Sequence, residues 1–423
     1  MMTPMVKKLV PAIQATSIAA ILAVAWPTPA NSLTPVAEVL HFWVSSGERR
    51  AIDTLASAFE ARGGRWIDIP RDSYAAARRE AVDRIGAGFP PTAMLWVIGR
   101  DVQQLADLDI VNDVDVVAQR EQWHRFIPPI VMKQVQLNGR VVAAPIGIHG
   151  ENWAWYNREI YQELGLSLPD TWQEVVEQAP IIEAAGYFPI AASDEAWQQR
   201  ILFNAILISV GGADSYRRLF ADGDPTVVDE PAFRESLEIY GQLRRFANDA
   251  ETASVWSDVT KLVVEKRAAM QIMGDWAKGD FKVAGQSPGR EFDCRLAPGS
   301  RDNIIVNVDV FAFARTSDRE AIAAQQLLAS TMLDPAVQLD FSLAKGALPV
   351  RLDVDVGALD DCGRIGVAAL AKTENVLPTP SVLAHEVIET SVPIMLADFW
   401  LNHDMTVEAV AAALRAELTR FNP

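Results

Sequence analysis

The stretch Ala268-Ala-Met-Gln-Ile-Met-Gly-Asp-Trp-Ala-Lys-Gly-Asp-Phe281 decides how we interpret the fold. Its first six residues form a largely apolar run that is long enough for a buried strand and too short for a core helix. Gly274 permits a sharp turn, and Asp275 stands where the N-cap of a short helix is expected. This strand–turn–helix order leaves free backbone N–H groups at the carboxyl edge of the strand, where ligands bind in open α/β sheets.

Two side chains at this edge are candidates for a binding site. Trp276 is too large for a loop that only connects two elements. We therefore expect Asp275 and Trp276 to line a cleft for a neutral polar ligand. A helix cap and a core tryptophan are the alternative interpretation of the same residues.

The composition excludes some classes of function. The chain has 423 residues, half of them hydrophobic, which suggests two or three domains with sizeable cores. Its 55 acidic and 38 basic residues give a formal net charge of −17. Nucleic-acid binding is disfavoured, because phosphate contacts need clustered Lys and Arg side chains.

The N-terminal segment has the pattern of an export signal. Lys7 and Lys8 precede an apolar run from Ile13 to Ala25, and Trp26-Pro-Thr-Pro-Ala30 follows, with small residues at the two positions that a signal peptidase reads. The run is too short to span a bilayer comfortably, so we expect residues 1–30 to be a cleaved secretory signal and the mature protein to be periplasmic. An uncleaved membrane anchor is the alternative.

Cys294 and Cys362 are the two cysteines of the chain. In an oxidising compartment they are candidates for a disulfide, and two buried free thiols are the alternative. Without a neighbouring histidine cluster they do not make a zinc site.

Strands and helices are predicted to alternate through the first part of the chain. Strands are expected at 38–44, 66–69 and 93–98, and helices at 49–62, 74–85 and 101–108, which indicates a parallel α/β sheet. Pro145 interrupts the predicted strand 141–148 and places it at a sheet edge or at a crossing between domains. In the strand 304–314, Asn307 and Asp309 alternate with valines, so they face a polar site or solvent.

Several motifs occur in the order found in one known family. They are Phe42-Trp-Val-Ser-Ser-Gly-Glu48, Ala144-Pro-Ile-Gly-Ile-His149, Asn152-Trp-Ala-Trp155, Gly211-Gly-Ala-Asp214, Met273-Gly-Asp-Trp-Ala-Lys-Gly279, Asn307-Val-Asp309 and Lys345-Gly-Ala-Leu-Pro-Val-Arg351. Nearly the whole mature chain resembles a periplasmic sugar-binding protein of an ABC importer. It is most similar to the glucose/mannose-type branch of the family 1 extracellular solute-binding proteins.

The resemblance implies a two-lobed periplasmic binding protein fold of the α/β class, with discontinuous lobes joined by hinge strands. Carried over, the first lobe comprises 31–148 and 310–346, and the second comprises 149–309 and 347–423. The hinge strands fall near 145–149 and 308–311. A sugar would lie between the lobes and be delivered by a monomer to the inner-membrane permease, without a cofactor or metal.

The resemblance also implies a set of sugar-binding residues. They are the aromatic pair Phe42 and Trp43, together with Glu48, His149, Asp275, Trp276, Asp309, Lys345 and His385. Aromatic rings cover the C–H face of a pyranose, carboxylates accept hydroxyl protons and lysine donates. Taken alone, Glu48 is an ordinary acid of a helix N-terminus, Lys345 a solvated side chain and His385 a surface or core histidine.

The chain departs from the family pattern at three positions. Phe42 replaces a tryptophan, Trp96-Val-Ile98 stands where a lysine is usual, and Gly150 stands where an arginine is common. From the missing side chain at Gly150 we expect extra space, which a glucoside, another hexose or a disaccharide would fill.

Two other classes of function compete with an importer component. Glu48 and Asp309 could in principle form the carboxylate pair of an exported glycoside hydrolase, although no enzyme motif accompanies them. A structural or chemosensory interaction protein would use the same fold and the same closure.

Overall fold

The structure is a computed structural model, and it describes residues 34–249 and 251–421. The predicted signal segment 1–30 lies outside the described residues. Strands occur throughout the described chain, and in chain order they are β1 Val36–His41, β2 Arg65–Pro70, β3 Ala93–Val97, β4 Val111–Asn112, β5 Gln136–Leu137, β6 Arg140–Val141, β7 Ala143–Gly150, β8 Trp153–Asn157, β9 Phe188–Ala191, β10 Ala268–Met273, β11 Phe292–Leu296, β12 Ile304–Ala314 and β13 Val376–Pro378.

Helices connect and cover these strands. In chain order they are α1 Ser46–Ala61, α2 Tyr74–Gly86, α3 Arg100–Asp107, α4 Asp115–Arg120, α5 Trp123–Phe126, α6 Pro129–Val135, α7 Arg158–Leu164, α8 Trp172–Ala184, α9 Ala196–Val210, α10 Gly212–Phe220, α11 Pro231–Leu243, α12 Trp256–Val264, α13 Ala277–Val283, α14 Arg319–Met332, α15 Pro335–Lys345, α16 Asp361–Leu370, α17 Pro380–Leu383, α18 Glu386–Leu401 and α19 Val407–Phe421. Short 3₁₀ turns lie at Pro225–Asp229, Arg244–Phe246, Val356–Ala358 and Thr373–Asn375.

The larger sheet has the order β13-β12-β3-β1-β2, and β4 and β7 also pair with β12. β1 is parallel to β2 and β3, as the alternation of strands and helices predicts. β12, which lies outside the alternating stretch on which that prediction was based, runs antiparallel to β3 and β7, so the complete sheet is mixed. Alternation along the chain reveals which segments are strands but not the direction in which a distant strand returns.

Pro145 lies inside β7, where it has no N–H to donate. β7 pairs with β12, and the register between them shifts between Asp309 and Val310, where Val310 opposes Pro145. The irregular register accommodates the missing donor within the ladder, as is usual for proline in strands.

The second sheet has the order β11-β8-β10-β9. β8 is antiparallel to both β10 and β11, and β10 is parallel to β9. Strand β10 is therefore central, which explains why all six of its residues are buried.

Buried apolar side chains form two separate cores. The first core draws on 37–148 and 308–359, and the second draws on 153–305 and 362–418. The chain crosses between them after β7, within β12, and again between Leu359 and Cys362. The predicted lobe boundary at 346 differs from this packing, because Ala347, Leu348 and Val350 belong to the first core.

A disulfide joins Cys294 on β11 to Cys362 near the start of α16, with the two Cα atoms 5.9 Å apart. Both residues are buried in the second core. The bond fixes α16 to the edge strand of the second sheet.

Within residues 34–249 and 251–421, none of the helices combines the length and the apolar character needed to cross a bilayer.

Candidate functional site

A buried triad of polar side chains lies where the two cores meet. His149 near the end of β7 places its Nδ1 2.6 Å from Oδ1 of Asp275 and its Nε2 3.1 Å from Oδ2 of Asp309. Asp309 is on β12, and Asp275 follows β10 of the second sheet. The three side chains are at most 7% exposed. The triad therefore connects the two sheets through charged groups.

Asp275 does not cap a helix, contrary to the expectation from its position. Helix α13 begins at Ala277, and no side chain caps its first turn. The Asp275 carboxylate instead accepts hydrogen bonds from His149 and from the backbone N–H of Gly150, which lies 2.9 Å away. Both oxygens of the Asp275 carboxylate are occupied by groups of β7, so they are not available to the helix.

The two carboxylates decide the charge of His149. Burial on its own lowers the pKa of the imidazole, but Asp275 and Asp309 outweigh burial and raise the pKa to about 9. The imidazolium is therefore present at neutral pH and balances part of the negative charge of the site.

We expect the stability of the protein to fall as the pH rises from 6.5 to 9. The pKa of His149 is higher in the folded chain than its ordinary value of 6.5, so its stabilisation is complete below pH 6.5 and is lost as the pH passes 9. A difference of 2.5 units (9 − 6.5) corresponds to on the order of 3 kcal/mol. Urea unfolding at pH 6 and pH 9.5 measures the effect.

The control for this experiment is a substitution of an exposed histidine. His149→Gln should lose most of the pH dependence, whereas His403→Gln, at an exposed position, should keep it. Equal pH dependence in the wild type and in His149→Gln would contradict the role of the triad.

An ion pair between Glu48 and Lys345 forms the second buried group of the site. Oε1 of Glu48 lies 3.0 Å from Nζ of Lys345, and both side chains are less than 10% exposed. Glu48 is the third residue of α1, where it completes a capping box with Ser45. Its helix-terminal role and its pairing with Lys345 are therefore compatible, because each uses a different oxygen.

The predicted aromatic residues lie in different environments. Trp43 is 1% exposed and packs against Phe311 and Phe341, with Nζ of Lys345 5.1 Å from its ring centre. Phe42 instead packs edge-on against Tyr74, with the ring centres 5.2 Å apart. Of the two aromatic residues, only Trp43 thus lies beside the Glu48–Lys345 ion pair.

Trp276 links the two polar groups. It is half-buried, its ring centre lies 5.5 Å from that of His149, and Nζ of Lys345 is 6.0 Å from it. The structure therefore brings together Trp43, Glu48, His149, Asp275, Trp276, Asp309 and Lys345.

His385 stands apart from this group. It is exposed, its Nδ1 accepts the N–H of Val387 at the start of α18, and its ring stacks on Phe421 at 5.7 Å. No contact that the structure gives for His385 joins it to the triad or to the ion pair. Its role in sugar binding stays a prediction.

The expected space at Gly150 is not present. A Cβ atom built on Gly150 would lie 2.6 Å from Nε1 of Trp153 and 2.9 Å from Cδ1 of Ile304. The position usually held by an arginine is therefore filled by an indole from the second core. The idea that Gly150 opens room for a larger sugar is wrong.

Two residues at the meeting of the lobes were missed by the sequence analysis. The backbone N–H of Gly47 in α1 donates to Oδ1 of Asp280 in α13 at 2.6 Å. A Cβ on Gly47 would lie 2.5 Å from the carbonyl carbon of Gly279. Asp280 belongs to the stretch 268–281, and its place on the buried side of a short helix, next to Phe281, was the available signal.

The chemistry of the site favours recognition of hydroxyl groups. Its carboxylates accept protons from hydroxyls, Lys345 donates, and two indoles offer apolar faces. In the part of the chain that the structure describes, no group of three or more His, Cys, Asp or Glu side chains is arranged to hold a metal ion.

Comparison with known proteins gives the family. A model for bacterial extracellular solute-binding proteins matches residues 46–338. A probable sugar-binding periplasmic protein of Brucella melitensis is 33% identical over 333 residues, which cover 78% of this chain and 78% of the relative. The chain belongs to the bacterial extracellular solute-binding protein family. A protein of Rhizobium meliloti with the same description is 33% identical and covers 84% of this chain, which spans 85% of that relative.

Solved structures of solute-binding proteins share the fold. The solute receptor AcbH, for which an exclusive preference for β-D-galactopyranose is described, matches with a TM-score of 0.77 at 15% identity, covering 92% of this chain and 99% of AcbH. Maltose-bound MalE3 of T. maritima matches with a TM-score of 0.74 at 19% identity, covering 91% and 99%. These matches confirm the predicted two-lobed fold. The glucose/mannose subtype stays a prediction.

Membership of the family also decides between the competing classes. Extracellular solute-binding proteins are receptors and not enzymes, so the glycoside hydrolase is not favoured. In addition, Glu48 is paired with Lys345 and Asp309 with His149. Neither carboxylate is a free acid or base.

Proposed function

We propose that this protein is the sugar-binding component of an ABC importer. It binds an uncharged mono- or small oligosaccharide between its two lobes and releases the sugar unaltered to the permease. The observation that carries the proposal is the pair of buried polar groups, Glu48 with Lys345 and His149 with its two aspartates, flanked by Trp276 where the two cores meet.

The balance of charge supports a neutral ligand. Glu48, Asp275 and Asp309 are countered by Lys345 and by the His149 imidazolium, so most of the charge is satisfied within the protein. An anionic ligand would add an uncompensated charge to this buried group, which already has one more carboxylate than cations, and that costs several kcal/mol. Hydroxyl groups can join these pairs as both donors and acceptors without disturbing the balance.

The proposal includes the location and the partners. The names of the Brucella and Rhizobium relatives support a periplasmic protein that binds sugar. The export signal predicted for residues 1–30 agrees with this location. We further propose a monomer that presents both lobes to the inner-membrane permease when the sugar holds them together.

A thermal-shift screen against mono- and disaccharides tests the function. A sugar present at 100 times its dissociation constant should stabilise the mature protein by about 2.7 kcal/mol and raise its melting temperature. Asp309→Asn should lose this shift, because its carboxylate neighbours His149. Asp258→Asn, at an exposed surface pair, should keep it. A panel in which no sugar raises the melting temperature would contradict the proposal.

A further inference from the structure

Asp280 in α13 lies at the contact between the two lobes. Helix α13 packs into the second core through Ala277 and Phe281, whereas α1, which carries Gly47, packs into the first core. Oδ1 of Asp280 accepts the Gly47 N–H at 2.6 Å. Asp280 as a whole residue is 8% exposed, so this hydrogen bond between the lobes is shielded from water.

Oδ2 of Asp280 is also buried, and no residue within 34–249 or 251–421 forms a well-aligned hydrogen bond with it, although the Ser45 hydroxyl lies near the carboxylate. A buried carboxylate oxygen without a partner costs free energy unless it is protonated or meets a donor. The neighbouring Glu48 carboxylate adds repulsion between like charges. A proton on Oδ2 removes both penalties and leaves Oδ1 free to accept from Gly47.

The contact with Gly47 bears directly on the candidate site. Gly47 immediately precedes Glu48 in the first turn of α1. Fixing the backbone of Gly47 therefore fixes the base of the Glu48 side chain, whose carboxylate pairs with Lys345. Asp280 can act on the site through this connection without contacting the sugar.

We propose that Asp280 is a positioning residue for sugar binding, which holds the first turn of α1 against α13 and takes up a proton when the two helices come together. The inference rests on the proposed function, because it assigns to Asp280 the placement of a sugar-binding residue. Nothing in the family motifs assigned a role to this position.

The charged groups around Asp280 determine the direction of the pH effect. Glu48 on α1 faces it with a negative charge, and Lys345 on α15 and Lys261 on α12 face it with positive charges. Burial is the main cause that raises the pKa of Asp280 to about 6, and Glu48 adds to it, against the lowering effects of the Gly47 N–H, the Ser45 hydroxyl and Lys345. A carboxyl that returns to water on opening regains its ordinary value near 4.

Acidification should therefore favour the closed form. Between pH 7 and pH 5 the closed form gains a proton on Asp280 that the open form does not hold, which corresponds to about a tenfold gain in sugar affinity. In the folded protein His149 loses its proton only near pH 9, so it stays protonated between pH 5 and pH 7. The two groups thus act in different pH ranges.

Calorimetric titration of the mature chain at pH 5 and pH 7 tests the proposal, with D-glucose, D-galactose and maltose as probes. Asp280→Asn keeps the shape and the acceptor for Gly47 but cannot titrate. It should bind about equally at both pH values, whereas the wild type should bind about tenfold more tightly at pH 5. Asp280→Ala removes the acceptor and should bind several-fold more weakly than Asp280→Asn at both pH values. Asp258→Asn should behave as the wild type.

The possible outcomes separate this inference from the proposed function. If Asp280→Asn keeps the pH profile of the wild type, or if Asp280→Ala binds as tightly as the wild type, the role of Asp280 is overturned while sugar binding stands. A wild type that binds none of the three probes is titrated with a sugar that raises its melting temperature in the thermal-shift panel. If no sugar of that panel does so, the proposed function is overturned and the role of Asp280 with it.

Discussion

A Gly47→Ala variant is expected to bind sugar about 10- to 100-fold more weakly than the wild type while both lobes stay folded. The new Cβ would lie 2.5 Å from the carbonyl carbon of Gly279, which is backbone and cannot rotate away. Overpacking of this kind costs about 1–3 kcal/mol. If the lobes separate, the clash is relieved, so this cost destabilises only the closed form. Alanine is no worse than glycine in the helix, so the unliganded lobes keep their stability.

Calorimetry with the sugar identified in the thermal screen, together with a melting curve of the unliganded protein, measures both effects. Gly86→Ala is a matched control, because Gly86 also lies in a helix and a Cβ there meets nothing within 4 Å. Unchanged affinity in Gly47→Ala would show that α1 and α13 need not approach each other for binding.

Lys345→Met is expected to abolish sugar binding and to destabilise the protein by about 3–5 kcal/mol. The substitution leaves the Glu48 carboxylate buried without its cation, and an uncompensated buried charge is strongly destabilising. It also removes the ammonium group near the Trp43 and Trp276 rings. Urea unfolding and calorimetric titration give the two quantities.

A double variant separates stability from binding. Glu48→Gln combined with Lys345→Met removes both charges, so most of the stability should return while binding stays lost. Lys261→Met breaks an exposed pair with Asp258 and should cost at most about 1 kcal/mol. If Lys345→Met alone binds sugar normally, the ion pair is only structural.

Local sequence signals predicted most of the elements of the fold. The apolar run Ala268–Met273 is a buried strand, and Ser45 with Glu48 forms the cap that opens α1. These features depend on residues close in the chain, where propensity and capping act directly. The antiparallel course of β12 depends instead on pairing with strands more than 150 residues away, which local patterns do not encode.

The site was predicted in part, because the motifs indicate residue types but not their orientation. Glu48 and Lys345 lie 297 positions apart and still meet, as their place in the motifs implied. Asp275, in contrast, was expected to cap a helix and instead contacts His149 and Gly150. The contact between Gly47 and Asp280 spans 233 positions and depends on the meeting of two lobes, so only the folded structure reveals it.

The central claim is that two lobes close over a sugar at Glu48, Lys345 and the His149 triad. Small-angle X-ray scattering of the wild type and of Gly47→Ala, with and without saturating sugar, measures this closure most directly. We predict that sugar lowers the radius of gyration of the wild type and leaves that of Gly47→Ala larger at the same concentration. A wild type whose radius of gyration stays constant while calorimetry records bound sugar would contradict the claim.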